Sequence, residues 1–432
     1  MPDTPQRSAS RSGWTGLCWA ILVSAGVWSV WGALHPFSGD TANSRMASVY
    51  ALAHHESWEI GNSEEENPFE SGTIDKVRVD GKMYSSKPPV MPLMMTAEYM
   101  LLRGVAGVNL EEPDDRLQAL KVMTLTFITL PFLLSGVAFW SLLRYFDTKP
   151  WVQAMGLLAF LWGTEYAGYA ATENNHVPAT ACLTIGMWGY ITLEDRKGIG
   201  TGILMTLLGI VMGLAVVIDL PSAIFVLILI VGFVAKFSKV NVSCGVAGFL
   251  VPVAVHSGIM LMLTGSPLPF QMNHDYYMYE ESYWRNPVGI DALNHAWGLY
   301  LFNMTFGRVG VFIMYPLFLI GAISVLKSLF ERDSKNRLWC IGVVCSSLIL
   351  GAYYVSSTNN YGGASFGFRW LIITTPFFMV PACQFVNQTR SRFVVGICVV
   401  LLSISVFSAT QCRLNPWSLG REWPIEIFGT LM

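Results

Sequence analysis

Apolar runs long enough to cross a bilayer recur along this chain, and their number and spacing constrain its fold more than any single motif. A hydrocarbon layer about 30 Å thick takes about 20 helical residues. Runs of that order occur at roughly 14–34, 117–143, 151–171, 177–193, 199–218, 220–235, 243–263, 309–328, 338–355, 369–386 and 393–410. The expectation is an all-α polytopic membrane protein with about eleven transmembrane helices. Composition agrees: hydrophobic residues make up 53% of 432 and charged residues 13%, against about 25% charged in soluble domains. A soluble enzyme is excluded. With a net charge of −2 and no basic cluster, nothing points to nucleic acid. The eight cysteines lie mostly inside apolar runs such as "LWCIGVVCSSLIL", where they read as small core residues rather than as a disulfide framework.

The first run follows "TPQRSASRSG" without a small-residue cleavage site, so it reads as a retained signal anchor with residues 1–13 on the cytoplasmic side. The loops "RYFDTKP", "EDRKG", "AKFSKVN", "KSLFERDSKNR" and "NQTRSR" then all fall inside, and each carries at least two basic residues, as the positive-inside rule asks. Counting "PVMPLMMTAEYMLLRGVAGV" as a further span would turn every one of them outward. That segment is therefore placed as an amphipathic helix in the outer interface. Residues 35–116 become one large external loop, 264–308 a second, and 411–432 an external tail. The chain is read as one integral domain in a plasma or inner membrane, with its chemistry facing outward.

Candidate residues concentrate on that outer side. Asp40, in "HPFSGDTANSR", stands at the membrane surface before an interfacial helix. A carboxylate there either caps the helix or serves as a general base for an acceptor nucleophile. In "KMYSSKPPV" the two prolines stiffen the backbone behind Lys87. An ammonium held at headgroup height either snorkels to ordinary lipid or meets a lipid-linked phosphate. "TENNHVP" groups Glu173, Asn174, Asn175 and His176, which suit sugar hydroxyls, a cation or a helix cap. Asp219, between two apolar runs, faces a cavity or the surface.

The long second loop carries "NHDYYMYEESYW", in which His274 and Asp275 alternate with rings that give sugars a face to stack on or form an interfacial belt. "NNYGGASFGFRW" places Asn360, Tyr361 and Arg369 beside glycines that allow close backbone approach. Arg369, like Arg308 in "MTFGRVGVF", matches a phosphate through its planar fork or pairs with a structural carboxylate. A divalent cation held by Asp40, Glu173 or His274 is a weaker reading, because no tight ligand spacing of the "HExxH" kind occurs.

The stretches "GDTANSRMASVYALAHHESWEI" and "DGKMYSSKPPVMPLM" resemble the GT-C membrane glycosyltransferases, specifically the protein O-mannosyltransferase and lipid A aminoarabinose transferase group. The resemblance implies a GT-C fold and transfer of a sugar from a polyprenyl-phosphate donor on the extracytoplasmic face, with no nucleotide sugar. It implies that Asp40 acts as, or helps position, the catalytic base, that Lys87 contacts the donor phosphate, and that Arg45 and Tyr84 belong to the sugar or acceptor site. Thr41 after Asp40 and the late position of Arg45 depart from the family pattern. The large lumenal domain of the protein-specific members has no counterpart among these residues.

The resulting expectation is a glycosyltransferase moving a hexose or pentose from a polyprenyl-phosphate carrier to a lipid, glycan or protein acceptor. Single displacement with one base favours inversion. The rival reading is a transporter or flippase of lipid-linked sugars. It calls for ionisable residues at mid-span, whereas here only Asp219 and His256 interrupt the runs.

Overall fold

The computed structural model describes residues 5–37, 39–61, 67–193, 199–331, 337–417 and 423–429. Ser38, the basic loop "EDRKG" at 194–198, part of the basic loop at 332–336 and parts of both terminal segments lie outside the described residues.

Every apolar run is largely helical, though 151–171 and 309–328 are interrupted. Helix α1 (Pro5–Ala33) leads to α2 (Asp40–His55), a hairpin of β1 (Lys76–Val79) and β2 (Lys82–Ser85), and α3 (Val90–Ala106). Helix α4 (Pro113–Thr124) continues through a π-helical turn at Leu125–Thr129 into α5 (Leu130–Tyr145), and α6 (Pro150–Trp162) breaks before the short α7 (Glu165–Gly168). Then come α8 (His176–Thr192), α9 (Ile199–Ile218), α10 (Ser222–Lys236) and α11 (Lys239–Thr264). After an irregular loop follow α12 (Trp297–Thr305), α13 (Val311–Met314), α14 (Leu317–Phe330), α15 (Arg337–Ser357), α16 (Thr375–Gln388), α17 (Arg392–Leu414) and α18 (Trp423–Phe428).

Among the described residues, seven helices are long and apolar enough to cross a membrane, and α6, α10 and α14 are shorter apolar helices. The sequence merges α13 with α14, but Pro316 breaks them, since proline cannot donate the helical hydrogen bond. Helices α9 and α11 cross so closely that a β-carbon at Gly209 would strike the Gly245 carbonyl, and one at Gly248 the Thr206 carbonyl. Small residues permit such backbone approach between apolar helices.

The hairpin was not expected from the sequence. Its two-residue turn, Asp80 (φ 49°) and Gly81 (φ 82°), takes positive φ at both positions, the geometry that matches strand twist and favours an Asp-Gly pair. The register pairs Val79 with Lys82 and Lys76 with Ser85, and Ser86 N–H donates to the Asp75 carbonyl at 3.0 Å. Asp75 is thereby carried alongside Lys87. The hairpin docks on α2 through Ser44, whose hydroxyl donates to the Asp75 carbonyl and lies 2.6 Å from Ser85 Oγ. Gln271 of the long loop donates to the Ser86 carbonyl.

The α5–α6 and α16–α17 turns meet: Lys149 donates from its backbone N–H and its ammonium to Asn387, at 2.8 and 2.7 Å. These two basic turns therefore share one end of the molecule.

Candidate active site

Two adjoining cavities, each about 790 Å³, open among the hairpin, α2, the α7–α8 and α9–α10 junctions, the long loop and the α15–α16 connection. They share Asp75, Lys87, Asp291, Asn360 and several neighbours, so they form two lobes of one cleft. The first lobe is lined by the apolar Leu220, Pro221, Ala223, Ile224 and Leu350 and by the polar Asn175, His176, Asp219 and Arg369. The second carries Ser86, His274, Tyr277, Asn294, His295, Trp297 and Asn359.

At the junction Lys87 Nζ lies 2.6 Å from Asp75 Oδ2. Burial pushes the Asp75 carboxyl up, but Lys87, then Arg369 and Arg45, outweigh it and hold the group below the ordinary carboxylate range. Burial also pulls the Lys87 ammonium down, with Asp75 opposing and Arg45 and Arg369 adding to the fall. Arg369 comes from the turn after Gly362 (φ 99°) and Gly363 (φ 70°), conformations that glycine adopts freely. Its guanidinium stacks over Trp417 at 4.8 Å and its buried Nε has no hydrogen-bond partner.

Behind the first lobe runs a buried polar chain. Arg45 Nη1 lies 3.2 Å from Glu173 Oε1, both side chains almost fully buried, and Arg45 Nη2 donates to Asn175 Oδ1 at 3.3 Å. Asn175 Nδ2 donates to Asp219 Oδ1 at 3.0 Å, and His176 Nδ1 lies 2.7 Å from Asp219 Oδ2. Burial pushes the Glu173 carboxyl up to about 7 against the pull of Arg45, and it lowers the Arg45 guanidinium.

The candidate residues thus divide. Lys87, Arg369, Asn175, His176 and Asn360 line the cleft together, and His274 lines the second lobe. Arg45 and Glu173 support it from behind. Asn174 is spent on structure, capping α8 through Val177 N–H and bonding the Tyr169 and Thr172 carbonyls. Tyr84 packs on Phe270, Tyr361 stacks on Tyr300 with its hydroxyl 2.8 Å from His295 Nδ1, and Asp275 is exposed in a short turn. Arg308, whose backbone N–H donates to Asn303, is absent from both cavity walls, as are these last four.

Asp40 is exposed at the start of α2. Its Oδ1 accepts from the Ile74 N–H at 2.8 Å, and Trp284 donates to the Ile74 carbonyl at 3.0 Å. Asp40 thus anchors the residue before Asp75, flanking the cleft rather than lining it, while its charge bears on Tyr283 and Asp291. No group of three His, Cys, Asp or Glu residues stands close enough to hold a metal ion among the described residues.

Sequence reasoning missed Asp75 and Asp291 as site residues. The "VDGK" turn could have revealed Asp75, because pairing the strands around it brings that residue to Lys87. Asp291 sits in a loop of isolated 3-10 turns, where no periodicity gives it a place. Its Oδ2 accepts from the Tyr283 hydroxyl at 2.9 Å, its Oδ1 is buried without a partner, and burial pushes the carboxyl up.

No protein-family model and no curated protein matches the chain. Solved structures do. ArnT from Cupriavidus metallidurans bound to undecaprenyl phosphate aligns with a TM-score of 0.54 at 14% identity, over 94% of this chain and 70% of that one. The Archaeoglobus fulgidus oligosaccharyltransferase in complex with Zn and sulfate aligns at 0.53 and 14% identity, over 93% and 54%. The oligosaccharyltransferase AglB of that organism, in complex with an inhibitory peptide and a dolichol-phosphate, aligns at 0.51 and 11% identity, over 94% and 57%. The chain therefore spans little more than half the length of the oligosaccharyltransferases it matches. With its apolar helices and these neighbours, the protein is an integral membrane protein with the fold of the GT-C membrane glycosyltransferases.

Proposed function

We propose that this protein is a glycosyltransferase that moves a sugar from a polyprenyl-phosphate donor to an acceptor on the extracytoplasmic face of a membrane. The observation that carries the reading is one cavity lined both by the apolar residues Leu220, Pro221, Ala223, Ile224 and Leu350 and by the cations Lys87 and Arg369. A polyprenyl phosphate is long and apolar with an anionic head, and the lobe offers both surfaces. Structures of the same fold hold undecaprenyl phosphate and a dolichol-phosphate.

The chemistry follows from charge. As the bond between the anomeric carbon and the phosphate oxygen breaks, negative charge grows on the phosphate. Prepositioned cations lower that barrier. Lys87 and Arg369 receive the charge, while Asn175, His176 and Asn360 hold the sugar near the junction. The second lobe takes the acceptor, with Trp284 and Trp297 offering faces for a sugar ring. An acceptor hydroxyl must also lose a proton, and among the carboxylates of the first external loop Asp75 lines the cleft while Asp40 flanks it.

The amino terminus lies in the cytoplasm and the cleft outside, a reading supported by the alternation of cleft-forming loops with basic turns along the chain. Eleven spans satisfy that alternation.

Purified protein in liposomes, incubated with a panel of polyprenyl-phosphate sugars, tests the reading. Donor is expected to be consumed with transfer or release of one sugar class, and Lys87→Ala and Arg369→Ala are expected to lose this while folding normally. No donor consumed, with labelled lipid-linked sugar crossing the bilayer instead, would make the protein a flippase.

A further inference from the structure

Asp75 and Lys87 touch both lobes, so the pair stands where an anomeric carbon must lie if donor and acceptor fill one lobe each. Asp40 lines neither lobe, and its Oδ1 is committed to the Ile74 N–H. Asp75 Oδ2 is held by Lys87 at 2.6 Å and approached by the Thr41 hydroxyl at 3.4 Å. The other charged or titratable groups around Asp75 are Arg45 from α2, Arg369 from the turn before α16, and Asp291 and Tyr277 from the long loop.

Resting on the transferase reading, we propose that Asp75 takes the acceptor proton and that Lys87 holds it engaged until the donor phosphate arrives, because phosphate and carboxylate compete for one ammonium. Lys87 pairs with Asp75 at 2.6 Å. A donor phosphate draws the ammonium toward itself, and the freed carboxylate turns to the acceptor hydroxyl. The acceptor oxygen then attacks the anomeric carbon and its proton passes to Asp75. The bond from that carbon to the phosphate oxygen breaks, and its electron pair leaves with polyprenyl phosphate, which Lys87 and Arg369 hold. One loop thereby couples donor binding to base activation, and the hairpin register sets that coupling.

The test pairs binding of undecaprenyl phosphate with transfer from the donor that the panel identifies. Asp75→Asn removes the competitor and the base together. It is expected to bind undecaprenyl phosphate several-fold tighter than wild type and to transfer sugar about 100-fold more slowly, the usual scale of a general base. Asp75→Glu keeps a carboxylate, and is expected to recover at least a tenth of the wild-type rate and to serve if the asparagine variant fails to fold. A merely structural Asp75 would lose binding and transfer together. Weaker phosphate binding in Asp75→Asn, or transfer within threefold of wild type, overturns the proposal. Wild type that neither binds undecaprenyl phosphate nor consumes any donor overturns the transferase reading itself. Wild type that does both while Asp75→Asn behaves like it overturns only the role of Asp75.

Discussion

Asp75 and Lys87 lie twelve positions apart in the chain, yet hairpin register joins their charged groups at 2.6 Å. A local rule of backbone geometry therefore sets the spacing between a carboxylate and an ammonium at the heart of the cleft.

The turn of that hairpin is the first place to test this dependence. Gly81 has φ 82°, where a β-branched side chain costs about 1–2 kcal/mol. Gly81→Val is expected to lower the melting temperature slightly and to weaken undecaprenyl phosphate binding, because the strands that carry Asp75 and Lys87 lose their register. Thermal melts beside a binding titration check it; normal binding in a destabilised variant would uncouple the turn from the site.

Arg369 and Lys87 differ in what they offer a phosphate. The Arg369 guanidinium is planar, stacked on Trp417 and able to donate twice. Arg369→Lys keeps the charge but not the fork or the stacking. It is expected to weaken polyprenyl phosphate binding about tenfold, on the scale of one charge-assisted hydrogen bond. Lys87→Ala is expected to cost more in transfer rate than in binding, since charge on the phosphate peaks as the bond breaks.

Glu173 gives the fold a pH dependence of definite sign. Burial raises its carboxyl from an ordinary 4.5 to about 7, so the folded protein holds a proton that the unfolded chain releases. This contribution to stability is full below about 4.5 and is lost as pH rises through 7. Glu173→Gln keeps the neutral form, and its melting temperature is expected to fall less than that of wild type between pH 5 and 8. Parallel curves for the two proteins would show that Glu173 does not titrate in this window.

The α9–α11 crossing is a test of packing remote from the cleft. A β-carbon at Gly248 would meet the Thr206 backbone, which has no side-chain freedom with which to yield. Gly248→Val is expected to destabilise the protein by about 1–3 kcal/mol, as overpacking does, seen as earlier thermal aggregation in detergent. Undecaprenyl phosphate binding by the fraction that remains folded is expected to be unchanged.

What could be read beforehand follows the range of the interactions. The helices were legible because their apolar runs answer to the bilayer, and so was the gathering of polar groups at one end, because basic turns punctuate the chain. Lys87 was legible from the two prolines behind it, and Arg369 from the glycines before it. Roles set by tertiary contact were not. Asn174 and Tyr361 have the right chemistry for a sugar, but the α8 cap consumes the first and the Tyr300 stack buries the second. Asp75, in "TIDKVRV", carries no local signal, because only strand pairing brings it to Lys87. Asp40 stood out by its position after the first span, yet its carboxylate turns to the Ile74 backbone.

Donor consumption tests the central claim most directly. Wild-type protein and Lys87→Ala, reconstituted in liposomes at equal folded amounts, are given polyprenyl-phosphate sugars, and release of polyprenyl phosphate is followed over time. Wild type is expected to consume at least one donor, and Lys87→Ala to do so at least 100-fold more slowly, the scale on which loss of a transition-state charge partner acts. Equal rates in the two proteins, or no donor consumed by either, would contradict it.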